Sequence, residues 1–148
     1  EINNPGHNNG YKNFTSKQIF TAEKLLKYLI RKYNIKKHNI LGHSDVAPSR
    51  KKDPGEKFPW RLLAKRKLCI WHNLNLNKIK TFRKTKLNLV EEIFFFKNLN
   101  KIGYSKIKGI SSKKSKIYLI EAFQRRFRQD LINGKLDQEC LLIIKNLV

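Results

Sequence analysis

Methionine is missing altogether from the 148 residues, and because a motif is already under way at Glu1 the sequence is expected to lack its natural beginning. Cysteine occurs only at Cys69 and Cys140. Neither has a CxxC partner, which argues against a thiolate zinc site or a disulfide framework and leaves two free, partly buried thiols. No apolar run reaches the ~18 residues that a membrane-crossing helix needs. Acidic residues are scarce, 11 Asp+Glu against 33 Lys+Arg, for a formal charge of +22. Such a balance favours contact with any polyanion. The lysines, however, are spread over the whole chain among many Asn and Ile, a bias that AT-rich coding produces by itself, and no nucleic-acid-binding motif accompanies them. No specific nucleic-acid partner is therefore expected.

What is present begins with a polar stretch. Residues 1–13 open apolar-polar and then turn into Asn-Pro-Gly and Asn-Asn-Gly, which reads as a strand end followed by a loop. Thr15 with Gln18 three positions on predicts a capping box, and Phe14 with Ile19 a hydrophobic staple. Ala22, Leu25, Leu26, Leu29, Ile30 and Tyr33 then follow at helical spacing, and the helix ends near Asn34. Asn39-Ile40-Leu41 reads as a short buried strand, and Phe58-Pro59-Trp60 opens a short helix to about Lys65. Alternating helix and strand predicts an α/β layer, a partial mixed β-sheet flanked by helices, over residues 1–73. A polar, basic linker is expected over 74–86. Over 87–148 three apolar sets at helical spacing (Leu87, Val90, Ile93, Phe94; Ile117, Ile120, Phe123, Phe127; Leu141, Ile144, Leu147) predict a small all-α three-helix unit. Gly103 with the Gly109–Ser112 turn, and Asn133-Gly134 before the N-cap Asp137, would separate its helices. The Phe94-Phe95-Phe96 run is expected to be core.

The stretch from Leu41 to Gly55 is where chemistry concentrates. His43, Lys51 and Asp53 share one short loop, which Pro48, Pro54 and Gly55 keep from becoming helix or strand. A rigid loop at a strand end can bring an imidazole and a carboxylate to one metal ion. A catalytic zinc site takes His, Asp or Glu ligands and keeps a position for water, whose proton a separate carboxylate removes while a cation steadies the oxyanion. His43 and Asp53 suit the first role, Glu1 and Lys51 the others. On residue types alone the plainer alternative stands beside this one, a satisfied histidine and a turn-forming aspartate.

The string Gly42-His43-Ser44-Asp45-Val46-Ala47-Pro48, Arg50-Lys51, Asp53-Pro54-Gly55 and Phe58-Pro59-Trp60 closely resembles the zinc-dependent N-acetylmuramoyl-L-alanine amidases of the phage-lysozyme and peptidoglycan-recognition superfamily. The resemblance implies that His43 and Asp53 are ligands of Zn2+ and that Lys51 stabilises the transition state. Glu1-Ile2-Asn3-Asn4-Pro5-Gly6 looks like the family's catalytic Glu segment, which makes Glu1 the general base. The family's remaining zinc ligand is a histidine upstream of that Glu. His7, His38 and His72 do not stand in its context and are read as surface or loop histidines. Ala122-Phe123-Gln124 and Asn133-Gly134-Lys135-Leu136-Asp137-Gln138-Glu139, with Gly103-Tyr104 upstream, resemble the three-helix peptidoglycan-binding domain that follows some of these amidases. The resemblance thus implies a monomeric amidase acting on peptidoglycan or muropeptides in the cell envelope or periplasm, with the cytoplasm as the alternative. The rival reading is a non-catalytic peptidoglycan-binding protein derived from an amidase.

Overall fold

The computed structural model describes residues 2–105 and 112–148. Glu1 and most of the Gly109–Ser112 turn fall outside them. Helix α1 (Ser16–Tyr33) starts where the sequence predicts. Thr15 Oγ1 accepts from the Gln18 N–H at 3.2 Å, and Gln18 Oε1 accepts from the Thr15 N–H at 2.9 Å, so two otherwise orphaned donors are satisfied reciprocally. It stops at Asn34, which adopts the left-handed region at φ 51° and donates its N–H to the Ile30 carbonyl. Of its apolar residues, Leu26 and Ile30 pack on a small core of Ile40, Phe58, Trp60, Leu63, Leu68 and Cys69, while Leu25 and Tyr33 remain exposed. Buried Glu23 is held by Lys27 at 2.7 Å and by Arg66. Two short helices follow, α2 (His43–Val46) and α3 (Trp60–Lys65).

The expected mixed β-sheet is not there. Among the described residues no strand forms, and the architecture is helical. The segment read as a strand has extended dihedrals, φ −86° and ψ 101° at Ile40 and φ −85° and ψ 162° at Gly42. A strand exists only through the ladder its N–H and C=O groups make with a neighbour, and here side chains take those groups. The Ile40 carbonyl accepts from Arg126 at 3.0 Å, and the Gly42 N–H donates to Asp45 at 2.8 Å. His43 accordingly opens a helix rather than a loop.

The second core gathers α4 (Leu76–Lys80), α5 (Leu89–Lys101), α6 (Lys113–Phe127) and α7 (Gln138–Leu147). Each start has a cap: Asn75 for α4, Asn88 with Glu91 as a capping box for α5, Ser112 for α6, Asp137 for α7. The segment 74–86 carries α4, whose Ile79 is buried in this core. In α5 the helical period is as expected but the buried stripe is rotated. Phe95, Leu99 and Ile102 go inward at i, i+4 and i+7, whereas Val90 is 76% exposed and Ile93 58%. Phe95 and Phe96 are core, and Phe94 lies at the surface. Phe95 meets Phe123 edge to face at 5.0 Å, and Phe123 meets Phe127 at 5.1 Å. Both cysteines are free and buried. His72 sits in a loop, as expected, yet is buried rather than at the surface, stacked on Trp71 at 5.2 Å. Trp71 touches both cores, and Gln129 donates to the Phe58 carbonyl at 2.8 Å. No described helix is long and apolar enough to cross a membrane.

Candidate active site

The site is built on one short helix and the turn that comes back to it. Gly42, extended, leads into α2, and the Asp45 carboxylate reaches back to accept the Gly42 N–H at 2.8 Å. The chain then coils tightly, with the Arg50 and Lys51 N–H groups both donating to the Ala47 carbonyl at 3.0 Å. It then comes back to α2, where the Ser44 N–H donates to the Asp53 carbonyl at 2.8 Å. That single backbone bond fixes the neighbours of His43 and Asp53 side by side. His43 Nδ1 and Asp53 Oδ2 stand 3.1 Å apart. Their side chains stay 47% and 63% exposed, so both can be reached from outside. Lys51 lines the same cavity, which measures about 930 Å³ and is bordered on its apolar side by Leu26, Ile40 and Trp60. Gly42 is required by close approach: a Cβ there would stand 2.7 Å from Pro54 Cδ and 3.1 Å from Trp60.

Residues lining the same cavity also hold the turn. Tyr11 donates its hydroxyl to the Pro54 carbonyl at 2.6 Å and accepts the Lys57 N–H at 3.0 Å, while Lys57 Nζ donates to the Tyr11 carbonyl at 2.5 Å. Burial is the main cause that pushes the Tyr11 hydroxyl up to about 12, so it stays protonated and able to donate. His7 stands 3.0 Å from Glu56; burial pushes that carboxyl up, but hydrogen bonds from His7 and the backbone together with attraction to His7 and Arg125 outweigh it and hold the group below its ordinary value. Gly55, at φ 79°, leaves no room for a Cβ against the Tyr11 ring.

The structure thus brings together three of the four residues singled out by sequence. Glu1 falls outside the described residues. Among the described residues no third His, Cys, Asp or Glu joins the pair. Tyr11 and Asp45 were not singled out. Asp45 could have been found as a carboxylate three positions after an extended glycine, the N3 position of a helix start. Tyr11 sits in a polar loop with no periodic signal, and only its contacts reveal it.

Residues 1–56 match the profile of a family described as N-acetylmuramoyl-L-alanine amidase. The N-acetylmuramoyl-L-alanine amidase AmiD of Escherichia coli K12 is 32% identical over 135 residues, covering 91% of this chain and 49% of AmiD. A solved structure of E. coli AmiD in complex with the substrate anhydro-N-acetylmuramic acid-L-Ala-D-γ-Glu-L-Lys superposes with a TM-score of 0.77 at 31% identity, over 93% of this chain and 53% of that one. AmpDh3 of Pseudomonas aeruginosa shares the fold, with a TM-score of 0.76 at 24% identity over 93% of this chain and 54% of its own. The chain therefore spans about half the length of the proteins it matches, and more than nine tenths of it is similar to part of an N-acetylmuramoyl-L-alanine amidase.

Proposed function

We propose that this chain is a peptidoglycan amidase that hydrolyses the amide between the lactyl group of N-acetylmuramic acid and L-alanine, with anhydro-muramyl peptides as its substrate class. The observation that carries the reading is the His43–Asp53 pair, 3.1 Å apart, half exposed and facing the same cavity as Lys51. Neither member of the pair makes another side-chain hydrogen bond among the described residues. An imidazole nitrogen beside a carboxylate supplies two of the three protein ligands that a catalytic zinc site takes, so the pair fits part of the donor set of the metal the family is associated with. Bound there, Zn2+ would supply Lewis-acid polarisation and lower the pKa of water.

The remaining roles belong to the chain. The apolar wall of Leu26, Ile40 and Trp60 limits water around the scissile amide, which strengthens charge interactions inside the cavity. Lys51 faces the negative charge that develops on the amide oxygen. Glu1 takes the proton of the attacking water and passes it to the departing nitrogen. The C–N bond breaks, leaving a lactyl carboxylate and the free amine of L-alanine.

The helical part, residues 87–148, is proposed as the wall-binding unit, joined through 74–86 to residues 1–73, and the cell envelope is the proposed location. A second reading, wall binding without hydrolysis, is favoured by the absence of a third metal-ligating side chain beside the pair among the described residues. Incubation with anhydro-N-acetylmuramyl peptide and Zn2+, followed by mass spectrometry, separates the two. Release of free peptide that His43→Ala abolishes supports the amidase. Retention on purified peptidoglycan with no release supports the second reading.

A further inference from the structure

The flanks of His43 are held from a part of the chain far away in sequence. Asp45 and Arg126 lie 81 positions apart, and each is 1% exposed. Arg126, near the end of α6, donates one guanidinium nitrogen to Asp45 Oδ2 at 2.7 Å and another to the Ile40 carbonyl at 3.0 Å. The same Asp45 oxygen accepts the Gly42 N–H at 2.8 Å. The guanidinium lies 4.2 Å above the Trp60 ring and 5.0 Å from the Phe127 ring, so its plane and reach are fixed as well as its charge. Next to it the Ser105 N–H donates to the Asp45 carbonyl at 3.2 Å.

A buried ion pair that only joined two packed parts would have no reason to bracket one residue. This one binds the residue three before His43 and the residue two after it. The position between them is the one whose next N–H is tied to Asp53. A single planar fork therefore sets where α2 starts and in what direction its first side chain leaves. Lysine, a point charge, could satisfy Asp45 or Ile40 but not hold both.

We propose that Arg126 is a positioning residue for His43, so that helix α6, within the part read as a wall-binding unit, sets the geometry of the His43–Asp53 pair. The consequence for catalysis rests on the amidase reading; the effect on His43 itself does not. Groups hydrogen-bonded directly to metal ligands typically alter metal affinity about 10- to 100-fold when removed, and Arg126, which reaches His43 through Asp45 and Ile40, is expected to act at the lower end of that range.

The test uses the full chain, with Zn2+ as the probe and the His43 ring resonances in long-range 1H–15N spectra as the second readout. Arg126→Met should shift or broaden the His43 signals and weaken Zn2+ binding by up to about tenfold, and Arg126→Lys should recover part of both. Ile144→Ala, in the core on α7, provides a variant destabilised away from α2. It should leave both readouts as they are at a temperature where it is folded. Folded Arg126→Met with unchanged His43 signals and unchanged Zn2+ affinity would overturn the proposal. Should the Met variant fail to fold, Arg126→Lys decides by the same two readouts, and wild-type values there overturn it. A wild-type chain that binds no Zn2+ counts against the amidase reading alone, because the His43 signals still report on positioning.

Discussion

Gln124 shows how one buried amide can hold a turn, and the cost of losing it follows mainly from its four bonds to that turn, a fifth and longer one running from Nε2 to Cys140 Sγ at 3.8 Å. The side chain is fully buried in α6. Its Oε1 accepts the Asn133 N–H at 2.9 Å and the Gly134 N–H at 3.0 Å, and its Nε2 donates to the Lys135 carbonyl at 2.9 Å and to Asn133 Oδ1 at 3.2 Å. Gln124→Met keeps the volume and removes every bond. The Gly134 N–H is buried and has no route to water, so its loss should cost about 1–3 kcal/mol. Asn133 and Lys135 are exposed and can turn to solvent, so their bonds should add only about 0.5–1 kcal/mol each. With three such bonds the sum is about 2.5–6 kcal/mol, which for a chain of this size lowers Tm by roughly 5–24 °C. A Cβ at Gly134, φ 65°, would stand 2.8 Å from Ile117 Cγ2, so the turn has room for glycine only. Urea unfolding of the two proteins would show the midpoint shift at constant slope. A loss below about 1 kcal/mol would refute the reasoning, since it would mean that the turn finds other partners at no cost.

Three further outcomes are expected. His43→Ala and Asp53→Ala should each weaken Zn2+ binding by more than the about 10- to 100-fold that losing an outer partner of a ligand costs, while leaving Tm nearly unchanged, because both side chains are half exposed; isothermal titration and a thermal melt measure the two. Gly42→Ala should drive Pro54 away from α2 and cost about 1–3 kcal/mol by overpacking, with weaker Zn2+ binding as the sign that Asp53 moved too. Burial holds the His72 imidazole below its ordinary value. The unfolded chain therefore takes up a proton below pH of about 6.5 that the folded chain refuses. Stability from this group is full above that pH and declines as pH falls toward the folded pKa. Comparing urea midpoints at pH 7.5 and 5.5, His72→Gln should show the smaller loss.

Local signals in the sequence carried most of the helices. Thr15 with Gln18, and Asp137 before an apolar run, mark starts that the structure places at those residues, because caps act over three or four positions. Asn133-Gly134 stood out as a turn, and Gln124 explains its place. Patterns that depend on distant partners were not legible. Asn39-Ile40-Leu41 has the composition of a buried strand, and nothing nearby says that Arg126, 86 positions on from Ile40, will take the carbonyl. In α5 the spacing allowed more than one inward stripe, and packing against α7 chose Phe95 and Leu99 over Val90 and Ile93. At the site, His43 and Asp53 are ten positions apart, and their types admitted a turn as readily as a metal pair. The Ser44–Asp53 backbone bond that brings them together is visible only in the fold.

The central claim is that the His43–Asp53 pair with Lys51 serves amide hydrolysis. Mass spectrometry of anhydro-N-acetylmuramyl-L-Ala peptide after incubation with the chain and Zn2+ tests it most directly. Free L-Ala-peptide and the intact anhydro-sugar are expected as the only products, and no product with His43→Ala. Cleavage that His43→Ala leaves undiminished, or no cleavage by a chain shown to hold Zn2+, would contradict it.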